Sequence, residues 1–180
     1  MKTAWFALSA LAFAVACNEP NAPLDARTSR SSQGSITAST QSAGGVVHRV
    51  SVGGADVDFA AHTDANFSLL ALEKADGSIA GEWSDQFGQG QGGIHVDVNC
   101  LVVQGNQAWI SGIVRSGSTG QGGVDLSGLP ASTRVADLGS SASDPADAIS
   151  FSFLGALAVP CAAQPNYPLF AMTNGQVMVN

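Results

Sequence analysis

The chain has 180 residues, a formal net charge of −7 and only 12% charged residues; 45% of its residues are hydrophobic but just 7% are aromatic. That length suits one domain with an appendage. Beyond residue 44, four Lys and Arg stand against twelve Asp and Glu. This balance argues against nucleic acid and anionic membrane surfaces as partners, since both need clustered basic side chains.

The first element reads as an address. Lys2 supplies a positive charge, an apolar run covers Ala4 to Val15, and small residues lead into Cys17. The run is too short to cross a bilayer comfortably and has the build of a secretory signal. The stretch "FAVAC" resembles the lipobox of bacterial lipoproteins, with Ala14 at the position where that family most often has Leu. The resemblance implies a signal peptide over residues 1–16, cleaved after Ala16, and lipidation of Cys17. Several acyl chains on one residue would anchor the chain stably. Asn18 stands where an inner-membrane retention signal would resemble Asp, so the expected address is the bacterial cell envelope, with the outer membrane favoured.

Residues 17–44 are rich in Ser, Thr, Ala, Pro and Gly and show no apolar periodicity. Such a composition cannot bury enough surface to fold, so a flexible, disordered linker is expected here. A lipidated Cys17 leaves Cys100 and Cys161 as an even pair in an oxidising compartment, where a disulfide between them is expected. No Cys-x-x-Cys or closely spaced His pair suggests zinc.

Residues 45–180 read as a single β-domain. Twenty-one glycines and the absence of long helix-forming runs favour many strands and turns. "VVHRVSV" and "ADVDFAA" flank Gly53-Gly54, read as a hairpin turn; "NFSLLALEK" and "SIAGEWSDQF" flank Asp76-Gly77; "IHVDVNCLVV" and "QAWISGIVR" flank Gln104-Gly105-Asn106. Further strands are expected near Ser132–Leu138, Ala148–Leu157, Leu169–Thr173 and Gly175–Val179. About eight to ten short strands with regularly spaced turns describe an all-β fold, an antiparallel β-sandwich or barrel.

Period-two alternation divides the strand at Ile94–Val103 into two faces. Ile94, Val96, Val98, Cys100 and Val102 are expected in the core, with His95, Asp97 and Asn99 facing water. Across the hairpin, Trp109, Ser111, Ile113 and Arg115 are expected outward. The set His95, Asp97, Asn99, Trp109 and Ile113 therefore forms a possible contact face of polar and apolar groups, of the kind that meets a glycan or a protein. The alternative is that a loop or the linker covers Trp109.

Other motifs carry less. Gly88 to Gly93 satisfies G-x-G-x-x-G, but a strand follows where a dinucleotide site needs a helix N-terminus. Asp137, Asp144 and Asp147 could gather around calcium, although Asp and Ser in such a run also stabilise turns. There is no G-x-S-x-G and no H-E-x-x-H, and His48, His62 and His95 fall on separate elements.

The stretch Cys100 to Trp109 reads Cys-Leu-x-Val-x-Gly-Asn-x-Ala-Trp, and an Asp-x-Gly loop precedes a late strand. These features resemble a group of uncharacterised secreted or lipid-anchored bacterial β-domains. Members usually read Asp-Asn-Gly where this chain has Asp137-Leu138-Gly139. The resemblance implies a fold and an address, and carries no activity. The expectation from the sequence is thus an envelope lipoprotein with a non-catalytic binding or structural β-domain, requiring no cofactor. Its expected partners are the membrane through the lipid anchor and an envelope protein or glycan. The alternative is a small-ligand carrier with an internal barrel cavity. A hydrolase would need His95 or His62 within reach of a carboxylate in a cleft.

Overall fold

The computed structural model describes residues 45–55, 66–88, 90–141 and 143–180. The expected signal peptide, Cys17, the expected linker, the strand expected over 56–61 and His62 lie outside the described residues.

Ten strands follow in chain order: β1 Val46–Ala55, β2 Asn66–Lys74, β3 Ile79–Gln86, β4 Gly93–Gln104, β5 Gln107–Ser118, β6 Pro130–Ala136, β7 Ala148–Ile149, β8 Phe153–Leu154, β9 Phe170–Ala171 and β10 Asn174–Val179. They form one antiparallel sheet in the order β10-β1-β2-β3-β4-β5-β6-β7-β9, with β8 paired to β6 off that path. The sheet curls into a half-barrel. Two short 3-10 turns, Gly155–Leu157 and Cys161–Ala163, are the helical segments among the described residues. None of those residues forms a helix long and apolar enough to cross a membrane.

Two of the expected hairpins form where turn chemistry placed them. Between β2 and β3, Gly77 donates to Lys74 O at 2.8 Å, Ser78 N–H donates to Asp76 Oδ1 at 2.9 Å, and Gly77 takes φ 79°, which suits glycine. Between β4 and β5, Gly105 has φ 61° in a tight connection. The third expectation fails. Gly53 and Gly54 make no turn; β1 runs straight through them and pairs with β10, where Gly54 lies opposite Gly175. A Cβ on Gly54 would stand 2.6 Å from Gly175 Cα, and one on Gly175 would stand 2.5 Å from Gly54 Cα. These glycines serve close backbone approach between strands.

The concave side is filled by side chains from successive strands. Val50, Phe67, Trp83, Ile94, Ile110, Val135, Ile149 and Val177 are each at most 2% exposed. They alternate with outward residues, as on β2, where Phe67, Leu69 and Ala71 are buried between exposed Ser68 and Leu70.

The alternation on β4 breaks once. Register shifts between Val98 and Cys100, leaving Asn99 as the extra residue of a bulge. Beyond it, Leu101 is buried in the core, while Cys100 pairs with Ser111 and Val102 with Trp109 on the convex side. Cys100 and Val102 were expected in the core. The bulge turns both to the other face.

The half-barrel is drawn together at its ends. Arg49 and Asn180 exchange both backbone hydrogen bonds at 2.9 Å, so alternate β10 residues Val177 and Val179 direct their N–H groups away from β1. Val177 N–H donates to Asp147 Oδ2 at 2.6 Å and Val179 N–H to Asp137 Oδ2 at 3.2 Å. Two carboxylates from the β6–β7 end thus take the place of a ladder along this edge.

Candidate functional site

The convex face divides into a covered half and an open half. Over β4–β6, residues 155–169 cross the sheet as a strap, tied down covalently and by hydrogen bonds. The Cys100–Cys161 disulfide joins it to β4, with Cα atoms 6.0 Å apart. Cys161 N–H donates to Ser111 Oγ at 3.2 Å, and Trp109 Nε1–H donates to Pro165 O at 2.9 Å. Arg134 lies 5.2 Å from the Trp109 ring centroid and donates to Tyr167 O at 2.9 Å and to Asn166 Oδ1 at 2.8 Å. Tyr167 is 8% exposed, stacks on Phe153 at 3.8 Å, and its hydroxyl accepts from Val159 N–H at 2.8 Å.

Trp109 is consequently 6% exposed and belongs under the strap, not on a contact face. Of the two readings held open for it, coverage by a later segment is what occurs. Asn99 is exposed at the bulge, beside the covered half.

On the open half, strand pairing brings His95, Asp97 and Ile113 onto one surface with residues of β2 and β3. Ser68 pairs with Ser84, Ser84 with His95, and His95 with Ser116 in one transverse row. The next row runs Leu70, Glu82, Asp97 and Ile113. Arg115 binds Asp97 at 2.9 Å and Glu82 at 3.4 Å, with all three side chains more than half exposed. Exposed pairs of this kind add little stability, so their effect is to cancel charge locally and hold Arg115 across the row.

Between the rows lies a shallow groove. One depression of about 480 Å³ is bordered by Asn66, Ser68, Ser84, Gln86 and His95. A second, of about 390 Å³, shares Ser68, Ser84 and His95 and extends to Leu70, Glu82 and Arg115. A third, of about 590 Å³, lies among Gly88, Gly90, Gly92, Ser118 and Gly120 and meets the first at Gln86 and Gly92. Asn66 Nδ2 donates to Gln86 Oε1 at 3.3 Å, forming an amide pair on the rim. The three depressions make one path from Arg115 to the glycine-rich connections.

Chemically the groove offers hydroxyls, amides and one imidazole, with Asp85 also in its lining and the Arg115–Glu82 pair at one end. Asp97, the carboxylate two residues from His95, is engaged by Arg115, and no hydrogen bond joins His95 to a carboxylate among the described residues. His48 sits on β1, three strands away, and its row meets β3 at Ile79, five residues along the strand from the Ser84 that faces His95, a separation of roughly 20 Å. The two described histidines therefore do not converge.

The aspartates considered for calcium are separated by their work in the backbone. Asp137 and Asp147 close the β10 edge, and Asp147 Oδ1 also accepts Leu138 N–H at 2.8 Å. Asp144 accepts Ser141 N–H at 2.9 Å and Ser140 N–H at 3.1 Å, and the Ser141 backbone bond leads the causes that hold its carboxyl below the ordinary aspartate value. Among the described residues no group of three His, Cys, Asp or Glu is placed to hold a metal.

Ser68, Ser84, Asn66 and Gln86 escaped the sequence reading, which followed alternation along β4 and β5 alone. Their signal was present: the same alternation runs along β2 and β3, and the Asp76-Gly77 turn sets their register.

No protein-family model, no curated protein and no solved structure matches this chain.

Proposed function

We propose that the chain is a bacterial envelope lipoprotein whose β-domain is a non-catalytic binding module, reading its partner on the open convex face. Residues 1–16 are the signal, Cys17 carries the lipid, 17–44 form the tether, and the outer membrane is the favoured address. The lipobox-like "FAVAC" supports the anchor, and the resemblance of Cys100 to Trp109 to secreted bacterial β-domains supports the address.

The observation that carries the binding role is the unequal treatment of one sheet face. The strap roofs β4–β6, whereas Ser68, Ser84 and His95 on β2–β4 are left as the floor and wall of a groove. The carrier alternative is less well supported, because Phe67, Trp83, Ile94, Ile110 and Ile149 fill the concave side where a cargo would sit.

The test has two parts. Intact mass of protein purified from membranes should show a lipid on an N-terminal Cys17 and two further thiols appearing only after reduction. A photo-crosslinking residue at position 84 should then capture an envelope component in cells, while one at Leu157, 70% exposed on the strap, should not. A soluble, unlipidated species would overturn the anchor, and equal capture from both positions would overturn the groove.

A further inference from the structure

We infer that the groove of Ser68, Ser84 and His95 takes an uncharged, polyhydroxylated chain, a neutral oligosaccharide. This rests on the binding-module reading and names the ligand class of the same site.

The first argument is the identity of the groups on offer. The floor lies on the interior strands β2, β3 and β4, whose backbone groups are committed to ladders on both sides. A ligand lying there cannot add as a strand and must be held by side chains. Ser68, Ser84, Asn66 and Gln86 can each both donate and accept, and His95 adds an imidazole. A sugar hydroxyl also does both, so each hydroxyl can meet such a group in either sense.

Charge is the second argument. The domain beyond residue 44 carries twelve acidic against four basic residues. The basic residue at the groove, Arg115, is already bound by Asp97 and Glu82. A polyanionic chain would therefore meet a net repulsive surface, with no unpaired Lys or Arg among the described residues that line it. Of the side chains lining the groove, Ser68, Ser84, Asn66 and Gln86 carry no charge, while Asp85 and the Arg115-paired Glu82 add negative charge, so an uncharged chain is favoured over an anionic one. Third, Leu70, 37% exposed, borders the Arg115 end and offers an apolar surface to the C–H face of a sugar ring.

The test is an NMR titration of the full chain in detergent micelles. The probes are cellohexaose, maltohexaose and chitohexaose, with heparin hexasaccharide and a neutral hexapeptide as comparators. At least one neutral hexasaccharide should shift the amide or side-chain signals of Ser68, Ser84, Gln86 and His95. Ser84→Val and Gln86→Ala should each weaken that binding roughly tenfold, the effect of losing one or two hydrogen bonds. Unchanged amide dispersion in the two variants would show that each is folded.

Three outcomes would overturn the inference: no shift with any neutral hexasaccharide, shifts confined to residues off the groove, or stronger binding of the peptide or heparin. If position 84 still captures an envelope protein in cells while the sugars fail, the binding module stands and the glycan does not. If neither sugar binding nor capture is found, both fall.

Discussion

Asp147 Oδ2 accepts the backbone N–H of Val177 at 2.6 Å, joining the β6–β7 end of the half-barrel to β10 at its other edge. Asp147 is 6% exposed and its second oxygen holds Leu138 N–H at 2.8 Å. Asp147→Ala would leave two donors without an acceptor. At about 1–3 kcal/mol for each unsatisfied group, the loss should be about 2–6 kcal/mol in urea unfolding. Amide exchange at Val177 should accelerate more than at Val50 in the core. A variant within about 0.5 kcal/mol of the parent, the size of an ordinary surface change, would show that this edge needs no carboxylate.

The glycines of β1 and β10 offer a contrast with those of the turns. A Cβ on Gly175 meets Gly53 O at 2.2 Å, which is backbone and cannot swing aside. Gly175→Ala must therefore push β10 off β1, and a loss of about 3 kcal/mol or more is expected, as for overpacking. Gly105 has open space around it but φ 61°, so Gly105→Ala should cost only about 1 kcal/mol. Comparable losses from the two changes would contradict the close packing of β10 on β1.

Tyr167 is the strap's fastening point on the sheet. Its hydroxyl lies 2.8 Å from Ser132 Oγ, accepts from Val159 N–H at 2.8 Å and reaches Leu157 O at 3.1 Å. Tyr167→Phe keeps the stack on Phe153 but strands the Val159 donor and the Ser132 hydroxyl, a loss of about 2 kcal/mol. Limited proteolysis should then cut within 155–160 first. Cleavage elsewhere with the strap intact would argue that the disulfide alone retains it.

The disulfide closes a separation of 61 residues. Replacing both cysteines, Cys100→Ser with Cys161→Ser, should lower stability by about 4 kcal/mol in the chain-entropy account. The paired variant should still fold, because Trp109, Arg134 and Tyr167 hold the strap independently. A double variant as stable as the parent would mean that the unfolded chain gains little freedom from the break.

Acid should weaken the fold by a graded route. Asp76, Asp125 and Asp144 are each held below the ordinary aspartate value, the first two chiefly by the side-chain bonds involving Ser78 and Ser127, the third by Ser141 N–H. A depressed folded value means stability present above the unfolded value and lost as pH falls through the folded one. The loss should therefore begin near about pH 4 and continue downward. Asp144→Asn should flatten that acid limb slightly without altering the neutral range. A steeper limb in the variant would reverse the assignment.

The sequence alone determined the local elements. Alternation with period two and the Asp76-Gly77 and Gly105 turns placed β2 to β5 closely, because each signal lies within a few residues of what it governs. The pairing of Cys100 with Cys161 followed from residue type and number. Tertiary structure decided the faces and the site. The bulge at Asn99 depends on register with β5, and it moved Cys100 out of the core. Coverage of Trp109 depends on Pro165, 56 residues away in the chain. Gly53-Gly54 has the composition of a turn, yet Gly175 of a strand more than a hundred residues later holds it extended. The groove exists because Ser68, Ser84 and His95 come from three strands brought into one row. Local pattern states which way a side chain points along its own strand; only long-range pairing states what stands opposite it and what lies on top.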